Sequence, residues 1–476
     1  MANKEESIEK KHICCIGAGY VGGPTMAVIA YKCPDYIINV VDISDERISQ
    51  WNGPLDKLPV YEPGLSEIIE KTRNKNLFFS TEIDSAIKKS NIIFMAVNTP
   101  TKTKGEGKGM AADLKHVEEC AKKIALVSES DKIIVEKSTA PLGTAQKIKN
   151  TLTNFNNRLN FEVISNPEFL AEGTAIDDLL HPDRVLIGGD KSQSGVIAVN
   201  EIVKIYNHWV DKNKIITTNS WSSELSKLAS NAFLAQRISS INSLSALCDI
   251  SGAEIFEVAK AVGADSRIGN KFLNASVGFG GSCFKKDILN LVYLCNHYGL
   301  DEVGEYWHQV LKINDFQKQR FSSRIIKILG DNIKSKVVSI FGWSFKKDTN
   351  DSRESASIDV AKTLLDEGVN IKIYDPMVSK ETILNDIIKT VSLNAQEQIL
   401  KKITICDNII DAAKYSNCIA ILTEWDEFKS IDWTELSNLI DNELFIADGR
   451  NLINPNEIEN LVNYISVGNT KLRNFD

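Results

Sequence analysis

The stretch HICCIGAGYVGG, residues 12–23, decides the fold. A short run of β-branched and cysteine residues breaks into glycines, PTMAVIAYKC then takes up a helical pattern, and IINVVD returns as a second strand ending in Asp42. This is a βαβ opening. Gly17, Gly19 and Gly22 form GxGxxG: the first permits a tight turn, the second leaves room for a pyrophosphate, and the third lets helix and strand approach closely. The helix N-terminus offers unpaired N–H groups to phosphates. Asp42 can accept both ribose hydroxyls of an adenosine and would repel a 2′-phosphate, so the expected cofactor is NAD.

Working outward, the alternation continues through NIIFMAV (91–97), KIIVEKSTAPLGT (132–144) and FEVISNPEFLAEGTAI (161–176). Function in such sheets gathers at the carboxyl ends of strands, where Thr99, Thr139 and Glu168 are expected. From Trp221 more than thirty residues run without proline, which predicts one long helix with Ser222 or Ser223 as N-cap. On it Lys227 and Asn231, four apart, project from one face. Apolar neighbours Leu225, Leu228, Ala229, Ala232 and Phe233 predict a buried Lys227, which then needs a partner or a task. Alternation resumes at SKVVSIFGWSF (335–345) and passes through NIKIYDP, CIAILTEW and ELFIADGR. The turn GWSFKKDT lacks the GxGxxG spacing, so no second dinucleotide site is expected there. The fold class is α/β: two Rossmann-like doubly wound domains joined by a long central helix. The expected domains are residues 1–217 (NAD-binding), 218–330 (central, helical) and 331–476 (C-terminal, Rossmann-like).

The chain has 476 residues and a net charge of −8, spread along it, which argues against a nucleic-acid partner. Its nine cysteines are scattered and show no CxxC pairing, which fits a reducing, cytoplasmic setting and predicts no metal. Glycines and Pro24 interrupt the apolar run after Lys11, and no other stretch approaches the length of a membrane span.

FGGSCFKKD, residues 279–287, holds the cysteine placed for chemistry. Gly280 and Gly281 make a turn, Ser282 is an expected N-cap, and Cys283 falls in the first turn of a helix, where the dipole favours a thiolate. Asp287 lies one turn on, on the same face. Arg267, Lys346, Arg353 and Arg450 are candidate anion-binding groups. A thiol, a lysine and an acid beside an NAD site suggest oxidation of an alcohol to an acid: the thiol traps the aldehyde, a second hydride leaves a thioester, and water hydrolyses it.

GAGYVGGP, NTPT, EKST, NPEFLAEGTAIDD, SELSKLASNAFLAQRISSIN, VGFGGSCFKKD, GWSFKKDTNDSRES and DGRN together resemble the UDP-glucose 6-dehydrogenases of the UDP-glucose/GDP-mannose dehydrogenase family, in order and over nearly the whole chain, with the animal-type branch most similar. The resemblance implies oxidation of UDP-glucose to UDP-glucuronate with two NAD reduced. It implies Cys283 as nucleophile, Lys227 as oxyanion stabiliser, Asp287 positioning Lys227 or a water, Glu168 assisting thioester hydrolysis, and hydrogen bonds from Thr139 and Asn231. It places NAD contacts on Gly17, Gly19, Tyr20, Val21, Gly22, Asp42, Arg47, Val97, Asn98, Thr99, Ser138, Thr139, Glu172, Lys346 and Arg353. Substrate contacts fall on Glu168, Phe169, Leu170, Ala171, Glu172, Lys227, Asn231, Arg267, Phe272, Leu273, Asn274, Phe279, Gly280, Phe345, Lys346 and Arg450. It further implies a homo-oligomer, at least a dimer with Arg267 reaching across, and a hexamer by likeness to the animal-type branch. Two positions depart from the pattern: Asn274 replaces the usual lysine, and Lys285 the usual glutamine or proline. The competing readings are a sister dehydrogenase for GDP-mannose or a UDP-N-acetylaminosugar, a two-electron hydroxyacid dehydrogenase, and a catalytically dead sugar-nucleotide binder.

Overall fold

The computed structural model describes residues 11–393, 396–438, 440, 444–454, 458 and 463–469. The chain forms two compact units that divide after Ser230.

The first unit is built on strands β1 (Lys11–Ile16), β2 (Tyr36–Val41), β3 (Leu77–Ser80), β4 (Ile92–Met95), β5 (Lys132–Glu136), β6 (Phe161–Ser165), β7 (Val185–Gly188) and β8 (Ile215–Thr218). Their order in the sheet is β3-β2-β1-β4-β5-β6-β7-β8. All neighbours pair in parallel except β6 and β7, which meet antiparallel at Ser165 and Gly188. Successive residues of β1 point to opposite faces: Ile13 and Cys15 enter one core, Cys14 and Ile16 the other. A sheet covered by helices on both faces explains why β4 (IIFM) and β7 (VLIG) are apolar and buried throughout, with no alternation.

The second unit carries a six-stranded parallel sheet of β9 (Val337–Phe341), β10 (Asn370–Tyr374), β11 (Ile403–Ile405), β12 (Cys418–Ile421), β13 (Phe445–Asp448) and β14 (Asn463–Ser466). Its order, β11-β10-β9-β12-β13-β14, repeats the arrangement of the first six strands of the other sheet. The architecture is therefore α/β with two Rossmann-like sheets and a long central helix, Ser220–Ser251. A second long helix, Asp301–Leu329, precedes the second sheet and was not foreseen.

Three local expectations are corrected. The helix after the glycine turn begins at Gly22, before Pro24. The long helix begins at Ser220, and its cap is Asn219, whose Oδ1 accepts the Ser222 N–H at 2.9 Å. Ser223 is instead fully buried, donating to the Ser165 carbonyl. Lys227 is buried as expected, but its apolar neighbours account for it only in part: Leu228 and Ala232 are buried, Leu225 and Phe233 are exposed, and the polar Ser223, Glu224 and Asn231 share the buried stripe.

Glu224 fastens that stripe to the β5 side of the sheet. Its two oxygens accept the N–H groups of Gly143 (2.6 Å) and Ala145 (2.7 Å) at the start of helix Thr144–Phe155. Burial pushes its carboxyl up to about 7, against the opposing pull of those two N–H groups. A carboxyl raised in the folded state contributes stability that is fully present below its unfolded value, near 4.5, and lost as pH rises through the folded one. Thermal unfolding from pH 4.5 to 7 should therefore show the parent losing roughly 3 kcal/mol relative to Glu224→Gln. Parallel stability curves would contradict the assignment.

Candidate active site

Gly17 follows β1 with φ +109°, and a Cβ there would stand 2.4 Å from the Ala96 carbonyl oxygen. A Cβ on Gly22 would fall 1.9 Å from the Gly17 oxygen, whereas one on Gly19 would meet no atom within 4 Å. The turn is thus closed at its first and third glycines and open at the second, the shape that admits a pyrophosphate. A fourth glycine matters too: Gly23 lies under the Trp51 ring, whose Nε1–H donates to the Ala18 carbonyl at 2.9 Å. The acid after β2 organises the turn directly. Asp42, nearly buried, accepts the Ala18 N–H (2.9 Å), the Ser44 N–H (3.0 Å) and Arg47 Nη1 (3.2 Å). Beside it, the loops after β4 and β5 are laced together: Thr99 Oγ1 donates to the Thr139 carbonyl and Ser138 Oγ to the Val97 carbonyl. Tyr20, Val21 and Glu172 are half-buried and Asn98 is exposed. These residues fit a dinucleotide, with Gly19 leaving the space and Asp42 at the ribose end.

Glu168 follows β6 and is held on both oxygens. Oε1 accepts the Phe169 N–H at 2.8 Å, and Oε2 lies 2.7 Å from Nζ of Lys137, a buried lysine just past β5. Burial alone would raise its carboxyl, but the Lys137 ammonium, the Phe169 N–H and the charge of Lys227 outweigh it and hold Glu168 below the usual range. The loop Phe169, Leu170, Ala171, Glu172 is braced by Asp178, which accepts the Ala171 N–H, and by Glu62, which accepts those of Gly173 and Ala175. Lys227 is buried with Nζ 5.1 Å from the centre of the Phe169 ring, whose other cationic neighbour is Arg184.

In the second unit Cys283 stands at the N-cap of helix Phe284–His297, so the helix starts one residue later than expected and Ser282 makes no capping bond. Cys283 is the exposed cysteine among the described residues; seven of the other eight are buried and Cys406 is intermediate. Burial pushes the thiols of Cys33, Cys120 and Cys418 up to about 12, which leaves them inert. The Gly280–Gly281 turn is stitched to the segment Arg353–Glu354: the Gly281 N–H donates to the Arg353 carbonyl at 2.9 Å, and a Cβ on Gly280 would strike the Glu354 oxygen. Asp287, buried, accepts from Asn231 Nδ2 at 2.6 Å. Phe279 is buried and bonded to Asn314 through both backbone groups. Arg450 donates to the Phe345 carbonyl (2.8 Å) and the Leu422 carbonyl (2.7 Å), tying the turn after β9 to β12. Lys346 leans on the Phe345 ring, and Arg353 is paired with Asp351. Phe272 is exposed with φ +62°, Leu273 buried and Asn274 exposed. Arg267 stands apart, 88% exposed and paired only with its neighbour Asp265 among the ion pairs described. Lys285, the other departure, pairs with Glu354 at 2.8 Å. No cluster of His, Cys, Asp or Glu among the described residues could hold a metal, and no described helix is long and apolar enough to cross a membrane.

Two nucleotide-binding-type sheets, one with an open glycine turn, and a helix that starts at an exposed cysteine define the class, a dinucleotide-dependent dehydrogenase. Residues 11–210, 221–316 and 339–455 match the NAD binding, central and UDP binding domains of the UDP-glucose/GDP-mannose dehydrogenase family. The chain is 53% identical to the UDP-glucose 6-dehydrogenase of Drosophila melanogaster, over 94% of each chain. It is 54% identical to that of Mus musculus (94% of this chain, 90% of the relative) and 54% to UDP-glucose 6-dehydrogenase 4 of Arabidopsis thaliana (94% and 95%). Among solved structures, a UDP-glucose dehydrogenase from Pyrobaculum islandicum superposes with a TM-score of 0.81 at 25% identity, over 98% of this chain and 100% of that one. The chain belongs to the UDP-glucose/GDP-mannose dehydrogenase family, as an oxidoreductase with NAD as its cofactor.

The geometry of the turn separates two glycine substitutions. Gly19→Ala should keep its unfolding midpoint close to the parent's and lose NAD affinity, since its methyl meets no protein atom. Gly22→Ala should destabilise the fold by about 1–3 kcal/mol through backbone overlap. Calorimetry combined with NAD titration distinguishes them, and equal effects on both readouts would refute the open-turn reading.

Proposed function

We propose that this chain oxidises UDP-glucose to UDP-glucuronate, a four-electron conversion of the sugar's C6 hydroxymethyl group to a carboxylate. The identity above 50% with relatives of that name over almost the whole chain supports the substrate. The exposed Cys283 at a helix start carries the mechanism. NAD, when bound, accepts one hydride in each of two successive oxidations.

In this reading the C6 hydroxyl gives its proton to a water, and Lys227 stabilises the negative charge on the oxygen as the first hydride leaves. The Cys283 thiolate adds to the aldehyde carbon, forming a C–S bond and a thiohemiacetal. Loss of the second hydride leaves a thioester. Water then attacks the carbonyl carbon, Glu168 takes its proton, the C–S bond breaks, and the thiolate is restored with the carboxylate product. Asn231 and Asp287 act as a hydrogen-bonded pair that orients a water or Lys227, and Thr139 adds a hydrogen bond. Phe169 to Glu172, Arg267, Phe272 to Asn274, Phe279, Gly280, Phe345, Lys346 and Arg450 are assigned to the sugar nucleotide. Arg47, Thr99, Lys346 and Arg353 are assigned to NAD with the glycine turn. A division into domains 1–217, 218–330 and 331–476, a homo-oligomer and a cytoplasmic setting belong to the same proposal; nine free cysteines support the last.

The test is the NADH yield per sugar across UDP-glucose, GDP-mannose and a UDP-N-acetylaminosugar: two per UDP-glucose, with the others poor, is expected. Cys283→Ser should bind both substrates, lose steady-state turnover and accumulate a covalent adduct visible by mass spectrometry. Lys227→Ala should slow turnover by about 10²–10³. Near-parental turnover in Cys283→Ser with two NADH per sugar would end the thiol mechanism.

A further inference from the structure

Lys137 is buried with its ammonium surrounded by three acceptors: Glu168 Oε2 at 2.7 Å, Tyr206 Oη at 3.2 Å and Asn166 Oδ1 at 3.3 Å. Of the three N–H donors of a lysine ammonium, two are taken by Tyr206 and Asn166, and the remaining side of the charge faces Glu168 as an ion pair. The acceptors are themselves fixed. The Tyr206 hydroxyl donates to Asn166 Oδ1 at 2.7 Å, and Asn166 Nδ2 donates to the Leu186 carbonyl at 2.8 Å, which sets which way the amide faces. Asn166 and Lys137 follow strands β6 and β5, paired in register at Ser165 and Glu136, while Tyr206 closes the helix Gln193–Tyr206. Two separate elements thus converge on the cation that follows β5, and among the described residues its one anionic contact is Glu168. A buried charge so fully bonded is costly to assemble, and packing alone does not call for it.

We propose that Lys137 is a positioning residue for the hydrolytic half of the reaction: it fixes one oxygen of Glu168 and keeps the carboxylate ionised, so that it is ready to take a proton from the attacking water. The inference rests on the proposed role of Glu168. The other charged or titratable groups around Glu168 are Tyr206, whose hydroxyl is pushed up by burial, and Lys227 on the long helix. Tyr206 supplies no positive charge, and Lys227 is the smallest of the influences that hold Glu168 ionised. Without the Lys137 ammonium, burial would dominate, and Glu168 would hold its own proton until higher pH. Water's proton would then have no acceptor, and the thioester on Cys283 would persist.

Lys137→Met keeps an unbranched apolar stem and removes the charged end. With UDP-glucose and NAD, the acid limb of kcat should move up by at least about one pH unit, a tenfold loss at a fixed pH below it. A Cys283 acyl adduct absent from the parent should appear by mass spectrometry, with KM for UDP-glucose nearly unchanged. A folded Lys137→Met with the parental limb and no adduct overturns the proposal. Should Lys137→Met not fold, Tyr206→Phe, which removes one acceptor and keeps the ion pair, should move the same limb upward by less; an unmoved limb overturns the proposal equally. Glu168→Gln separates this from failure of the underlying mechanism: if it turns over like the parent with no adduct, Glu168 is not the base and the mechanism falls first.

Discussion

An aspartate at the end of the second strand, accepting N–H groups from the turn after the first, is the constraint on which both halves of this protein depend. Asp42 does this for Ala18, and in the second unit Asp375 accepts the N–H groups of Trp343 (2.6 Å) and Ser344 (3.0 Å). The backbone matches as well: Gly17 N–H donates to the Val41 carbonyl and Gly342 N–H to the Tyr374 carbonyl, each at 2.8 Å and each from a glycine with positive φ. Past that glycine the ladder ends, and the next N–H groups of the turn would be costly to leave buried and unpaired. The acid supplies the missing acceptor and so joins first strand, turn and second strand into one piece.

The same scaffold then diverges through what fills the turn. In the first unit Gly19 leaves its position open. In the second the following residue is Trp343, completely buried, with its indole N–H on Asp386, and Thr423 packs so closely that Gly342 tolerates no side chain. One turn presents backbone to a ligand, while the other is occupied by its own side chain and passes the chain on to Phe345 and Lys346. Fold and function separate here: topology is repeated, and chemistry follows from two or three side chains.

Much of this was legible because the informative signals are local. The glycine spacing, the acid after β2 and the apolar strands of both sheets lie within short windows, and they place Asp42, Thr99, Thr139 and Glu168 at strand ends. The strands that escaped are β3, β7, β8, β11 and β14, each three or four residues long. Helix Asp301–Leu329 escaped because charged and amide residues are scattered along it, and several of them, Asn314, Gln317 and Lys318, are buried. Lys137 escaped for a further reason. A lysine just after a strand looks like a solvated loop residue, and what makes it otherwise, Asn166, Glu168 and Tyr206, comes from 29 to 69 positions away. The stripe through Lys227 and Asn231 was legible in part: their spacing and the burial of Lys227 were visible, but the joining of Ser223 and Glu224 to it has no hydropathy signature.

Trp51 gives the glycine turn a property of a different kind. Its indole N–H holds the Ala18 carbonyl, its edge lies on Gly23, and its face is stacked on Phe79 with the ring centres 4.8 Å apart and the planes 3° from parallel. A ring so confined, with no exposure to water, has its emission set by the atoms of the turn. The fold has in this way placed a fluorophore against the backbone that a dinucleotide must approach, so a version of the protein retaining only this tryptophan would report optically on the state of the turn, with no label attached.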